Sequence, residues 1–181
     1  NDKGGNRSAT SIGGTLIGLG GDIINVDDPH NTEAVESEPE RETVLRWWKE
    51  LRSTRLNDPK RTALVVTMQR LHEQDVSGVV LEDSEEWTHL MLPMRHDPER
   101  HCVTVLKWDE EGQPEQVWED PRPRDSRDLM WPERYGEREV RLLETELGPY
   151  MASGRLQQAP QPRFQAVQRH CRVETPEPPA T

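Results

Sequence analysis

An α/β fold with a mainly parallel sheet is what this sequence predicts, on three observations. Two short β-branched runs, within Asp22 to Pro29 and Ala63 to Met68, lack the strict alternation of a half-exposed strand and match strands covered on both faces. A capped amphipathic segment of helical length lies between them. A short helical stretch and a third apolar run follow, so strand and helix alternate along the chain as in βαβ units.

From Asn6 to Gly21, small and apolar residues alternate with glycines, which predicts short strands joined by tight turns. The first strand, Ile23-Ile24-Asn25-Val26, is polar only at Asn25 and stops at Asp27-Asp28-Pro29. Ser37 caps the first helix, Glu40 completes a capping box, and Pro39 fits the first turn. Its apolar stripe is Val44, Leu45, Trp48 and Leu51, with Trp47 beside it, and Asn57-Asp58-Pro59 marks a turn. After the second strand, Val76 to Leu81 reads as a short helix and Trp87 to Met94 as a third strand. A small hairpin is expected around Glu111-Gly112, between Val103–Trp108 and Gln116–Trp118. Pro121 to Arg127 is a charged link, and Tyr135 to Leu147 an amphipathic helix closed by Gly148-Pro149. The proline-rich end, through Glu174-Thr175-Pro176-Glu177-Pro178-Pro179, is expected to be disordered.

Composition narrows the function classes. Only 31% of the 181 residues are hydrophobic and 31% are charged, so part of the chain is expected outside any core. With Asp and Glu outnumbering Lys and Arg 34 to 23, the net charge of −11 is wrong for a whole-surface nucleic-acid binder. Any contact with DNA has to be a local basic patch or lie elsewhere in an assembly. Cys102 and Cys171 form neither a C-x-x-C pair nor a disulfide framework, which suits a reducing compartment. No apolar run approaches the ~18 residues of a membrane span, and the start has no signal-peptide pattern. A soluble intracellular protein is expected.

The Asp27-Asp28 pair is the sharpest chemical feature. Two carboxylates ending a strand sit where α/β sheets place their ligands. One can hold Mg²⁺ and its neighbour can orient or deprotonate a water. The alternative is an ordinary Asp-Pro turn. Thr67, Gln69 and Arg70 end the next strand in the same way, where polar groups can meet a phosphate or the strand can simply surface into a loop. Gly18-Leu19-Gly20-Gly21 precedes a strand instead of following one, and no G-x-x-x-x-G-K-[ST] occurs, so turn chemistry accounts for these glycines. His96 and His101 lie in a charged loop and are weak metal-ligand candidates. His72, beside Glu73 and Asp75, is equally well explained by a helix start. Trp47-Trp48 offers base stacking or core packing, the latter being commoner on a helix stripe.

The order of segments carries more than any one of them. Ala9-Thr10-Ser11-Ile12-Gly13-Gly14 followed by Gly20-Gly21-Asp22-Ile23-Ile24-Asn25-Val26-Asp27-Asp28-Pro29-His30 resembles the Walker B region of tailed-phage terminase large subunits. Glu36-Ser37-Glu38, Trp47-Trp48, Ser53-Thr54-Arg55-Leu56-Asn57 and Val66 to Asp75 continue the resemblance in the same order. Trp131-Pro132-Glu133-Arg134, Leu147-Gly148-Pro149-Tyr150 and Gly154-Arg155-Leu156-Gln157-Gln158 look like the end of that family's ATPase region. Together these cover residues 6 to 162 or so; the specificity lies in the collinear set.

The resemblance implies part of an ASCE-type P-loop ATPase, found in phages and prophages, that uses ATP and Mg²⁺ to drive double-stranded DNA into a procapsid. Residues 1–120 would be the rear of the ATPase domain, 121–162 a helical linker, and 163–181 a disordered or frame-altered tail. Asp27 matches the Mg²⁺-binding Walker B aspartate, and Asp28 the catalytic carboxylate, which is often glutamate in that family. Thr67, Gln69 and Arg70 match the motif coupling hydrolysis to movement, with Thr67 facing the nucleotide. The resemblance further implies a ring oligomer, a portal protein and a small terminase subunit as partners, and a place in the host cytoplasm and transiently on the procapsid. A Walker A segment is expected upstream of Asn1 and an RNase H-like nuclease domain downstream, with a truncation or frame change near Arg163. The chain alone is therefore expected to hydrolyse ATP poorly and not to cleave DNA. A non-catalytic remnant or interaction module and a Mg²⁺-dependent nuclease are the alternatives.

Overall fold

The computed structural model describes residues 4–14, 19–83 and 87–162. These form two compact units. The first holds the described residues through Met68 together with Gln74–Asp83, and the second holds Gln69–Glu73 and the described residues from 87 onward. The expectation of a disordered tail falls outside the described residues. No described helix is long and apolar enough to cross a membrane.

The first unit is a βαβα arrangement. Strands β1 (Ile23–Asp27) and β2 (Ala63–Thr67) pair in parallel through five registers, from Ile23↔Ala63 to Asp27↔Thr67. Helix α1 (Glu38–Thr54) is the crossover that parallel pairing requires. Its stripe is as expected, with Trp48 and Leu51 buried and Val44, Leu45 and Trp47 half-buried. Val26, Val35, Val76 and Val80 join them in the core, the last two from α2 (Val76–Asp83). The α/β class and these elements agree with the sequence pattern.

Several expectations need correction. The parallel strands are covered on one face only: Val26 is buried, whereas Ile23 is 74% and Val65 46% exposed. Asn25, out of place in a doubly covered strand, lies on that open face. The sheets are a parallel pair and a separate antiparallel pair, so the described residues do not form one mainly parallel sheet. Residues 6–14 and 19–20 form bends and turns without strands, with Gly13 at φ +81° supplying the turn. Ser37 is the N-cap of α1 but its side chain makes no capping bond. Arg41 binds the segment just before the helix instead, donating to the carbonyls of Val35 and Glu36 at 2.8 and 2.9 Å.

In the second unit, Trp87 to Met94 is irregular, not a strand. Pro93 can donate nothing to a ladder, and Met91 donates to Cys102 Sγ and Met94 to the Leu156 carbonyl. The expected hairpin forms from β3 (Val103–Trp108) and β4 (Pro114–Glu119), antiparallel, with Gly112 at φ +76° in its turn. Helix α3 (Glu137–Arg155) breaks at Gly148 (φ +71°, ψ 165°), where closure was expected, and resumes from Pro149. Proline is well suited to restarting a helix, since its missing N–H is one the first turn leaves unused.

Much of this unit is held by ions. Asp120 and Arg122 are 3% and 9% exposed and joined at 2.6 Å. The same guanidinium donates to the carbonyls of Pro93 and Asp128 at 2.9 and 3.3 Å, so one side chain ties three segments. Arg95 similarly grips Glu144 at 2.7 Å and Glu137 at 2.8 Å, two turns apart on α3. Arg95 and then Arg141 hold Glu137 down to about 2.

Hydrogen bonding to Arg122 also lowers Asp120 below the ordinary carboxylate range. A lowered native value stabilises the fold above the unfolded value of about 3.9, and the contribution vanishes as pH falls through the native one. Asp120→Asn is expected to cost about 3 kcal/mol at neutral pH, because it leaves Arg122 buried without its anion. It should also flatten the loss of stability between roughly pH 5 and pH 2. Urea titrations across that range measure both, and a variant retaining wild-type stability and acid slope would contradict the assignment.

Candidate functional site

The carboxyl edge of the parallel pair brings Asp27, Asp28 and Thr67 together. Asp27 and Thr67 are register partners, and both follow the exposed face of their strands. Asp28 prolongs the ladder by one bond, donating its N–H to the Thr67 carbonyl at 2.9 Å. It does so at φ +39°, in the left-handed region that only glycine enters freely and aspartate tolerates better than most. The chain thus leaves the sheet sharply, with two adjacent carboxylates at the edge and one hydroxyl across from them.

The loop behind this edge is firmly held. Pro29 and His30 are buried. His30 Nε2 accepts the Val76 N–H at 3.0 Å, which requires that nitrogen to be unprotonated. Asp75, fully buried, accepts the Gly78 N–H at 2.8 Å and caps the first turn of α2. His30 and Asp75 are therefore structural groups that fix the position of the site, a role the sequence pattern does not reveal for His30. Asp75 does sit at the helix start, but fully buried instead of solvated as expected there.

Gln69 and Arg70 belong to the second unit, where their surroundings are well defined. Arg70 lies above the carboxyl end of α3: its N–H donates to Gln158 Oε1 at 3.3 Å, and its carbonyl lies against Gly154. A Cβ on Gly154 would stand 2.7 Å from that oxygen, closer than any real side chain approaches, so only glycine fits. The Arg70 guanidinium donates to the carbonyls of His72 and Glu73 at 3.5 and 3.4 Å. Gln69 is exposed. Gly154 and Gln158 escape functional reading of the sequence; the signal is a glycine within an otherwise helical run.

A second polar constellation forms around the two histidines that the sequence marks as weak metal-ligand candidates. His96 and His101 are neighbours, with His96 Nε2 and His101 Nδ1 2.7 Å apart. At that separation the two rings hydrogen-bond to each other directly. His96 Nδ1 lies 3.0 Å from the Ser126 carbonyl and His101 Nε2 2.9 Å from Glu119. Hydrogen bonds to His101 and then Arg124 lower the Glu119 carboxyl. Both ends of this relay are acceptors, so each ring is placed to donate outward.

Among the described residues, no group of three or more His, Cys, Asp or Glu side chains is gathered closely enough to hold a metal. No protein-family profile matches this chain, and no characterised protein matches it by sequence.

Two positions test this geometry. Asp28→Gly should raise stability by up to about 1 kcal/mol by releasing backbone strain, whereas Asp28→Val should lower it by more. Gly154→Ala should cost about 1–3 kcal/mol through overpacking against the Arg70 carbonyl. Chemical denaturation reads all three variants, and an unaffected Gly154→Ala would show that the two segments do not meet.

Proposed function

We propose that this chain is the rear part of the ATPase domain of a phage-type DNA-packaging motor, with Asp27 and Asp28 at the nucleotide edge. The observation that carries this reading is the register Asp27↔Thr67 at the carboxyl end of two parallel strands joined by a helical crossover. A nucleotide-hydrolysing α/β domain needs oxygen ligands and a water-orienting carboxylate at that edge.

The donor set is all oxygen: two carboxylates and a hydroxyl. It suits a hard cation such as Mg²⁺, whose other ligands are commonly water and phosphate oxygens. Asp27 would hold that cation, which would neutralise charge on the phosphates. Asp28, set apart by its backbone turn, would orient the attacking water and accept its proton. Thr67, across the register, would sense the terminal phosphate by a hydrogen bond that hydrolysis breaks.

Coupling has a physical route in this reading. The chain passes from Thr67 in the first unit to Gln69 and Arg70 in the second within three residues. Within the second unit, that segment is anchored to α3 through Gly154 and Gln158. Two stretches that carry the resemblance, 69–73 and 154–158, also pack together within one unit, although 88 residues separate Arg70 from Gln158. The nuclease alternative requires more acids converging on Asp27 and Asp28; the described residues gather no such group.

The test is steady-state ATP turnover, with and without double-stranded DNA, on the chain joined to its native upstream segment. DNA-stimulated hydrolysis that Asp27→Ala lowers about a hundredfold or more, and Arg70→Ala uncouples from DNA, is the expected result. No turnover in the joined protein, or full turnover in Asp27→Ala, would make the non-catalytic remnant the better description.

A further inference from the structure

We infer that the groove between β3 and the 87–91 segment of the second unit binds a nucleotide unit, with the base stacked on Trp108 and the phosphate drawn to Arg100. This site lies outside the Asp27 edge and does not depend on it.

The groove encloses about 420 Å³, within the roughly 300–1,000 Å³ usual for small-ligand sites. Its walls include Trp87, Trp108, His89, Arg100 and His101, and none of the described lining side chains is acidic. In a chain of net charge −11, that composition is a local reversal of sign. Arg100 supplies a permanent cation. Its described partners are the carbonyls of Gln157 and Gln158, each at 2.9 Å, and Met91 Sδ at 2.8 Å. None is a carboxylate, so its charge is not neutralised, and these bonds leave two of its five N–H donors for a ligand.

The surroundings of His89 show the same sign. Burial and then the charges of Arg70 and Arg100 push the His89 imidazole below its ordinary value, so His89 offers a neutral ring beside two guanidiniums. His101 belongs to the two-ring relay with His96. The single carboxylate on that relay, Glu119, is shared with Arg124.

An anion is therefore favoured, and the tryptophans determine what kind. Trp108 is 57% exposed at the end of β3, where an indole gains little from the fold and stays open to a ligand. Aromatic stacking combined with a nearby cation is the chemistry that captures nucleotides without reading their sequence. A free mononucleotide and one unit of a single strand present the same base and phosphate.

Calorimetric titration of the full chain with deoxyadenosine 5′-monophosphate and with single-stranded oligodeoxyadenylate distinguishes the two sources. Deoxyadenosine and inorganic phosphate serve as part-ligands. Binding of either nucleotide probe, with both part-ligands at least about tenfold weaker, is expected; tighter binding of the oligomer assigns the single strand. Trp108→Ala should weaken binding by about tenfold or more, the value of one stacked base. Arg100→Gln should weaken it further and reduce its salt dependence. Because Arg100 also holds two backbone carbonyls, Trp108→Ala decides the outcome, with circular dichroism confirming its fold. Asp27→Ala should leave binding unchanged, which separates this site from the proposed ATPase edge. Absence of binding by both nucleotide probes, wild-type affinity in Trp108→Ala, deoxyadenosine binding as tightly as its monophosphate, or loss of binding in Asp27→Ala would each overturn the inference.

Discussion

The pairing of β1 with β2 in a single parallel register is the constraint on which the first unit depends. Side chains alternate along a strand, so a slip of one residue would carry Val26 and Val66 from the covered face to the open one. It would also move Asp27 away from Thr67. The core thus fixes the chemistry: Val26, buried among the core of Trp48, Leu51, Val76 and Val80, determines where the neighbouring carboxylate ends. The backbone bond from Asp28 to Thr67 extends the same ladder one step beyond the strand, which lets the chain turn without leaving that N–H unpaired.

The second unit solves a different problem. Few of its described side chains are both apolar and fully buried: Cys102, Val140, Ala152 and Pro93 are small. With so little apolar area to bury, irregular segments are positioned by groups that make several hydrogen bonds at once. Arg122 meets Asp120 and two carbonyls, Arg100 meets two carbonyls and a thioether, and His96 links Ser126 to His101. Guanidinium suits this use because its donors form a rigid fork that stays charged. Such a core is specific in geometry but vulnerable, since removing one partner strands a buried charge.

How much of this is legible in the sequence follows from which forces are local. The strands, α1, the hairpin and the break at Gly148 are readable because β-branched runs, a 3.6-residue stripe and turn residues act over a few positions. Trp87 to Met94 misleads because its apolar content resembles a strand. Its actual partners, Cys102 and Leu156, are distant in sequence, and Pro93 is the local sign against a ladder. The open face of β1 and β2 is likewise hidden, since a β-branched run does not say whether a second layer is present. Asp27, Asp28 and Thr67 can be proposed as neighbours because parallel strands align their carboxyl ends. Gly154 against Arg70, and the links from His96 to Ser126 and from His101 to Glu119, arise from tertiary packing that no local pattern encodes.

The weight of the Asp27-Asp28 edge rests on what an ordinary Asp-Pro turn fails to explain. A turn before Pro29 accounts for the backbone of Asp28, and asparagine or glycine would serve that backbone as well. It does not account for a second carboxylate beside the first. Adjacent carboxylates repel each other, weakly where both face water. Asp27 gains nothing from burial that could offset it, because it ends its strand on the exposed face. A divalent cation and a polarised water would turn the repulsion into attraction. In the proposed phosphate chemistry each of the two carboxylates would have a separate task.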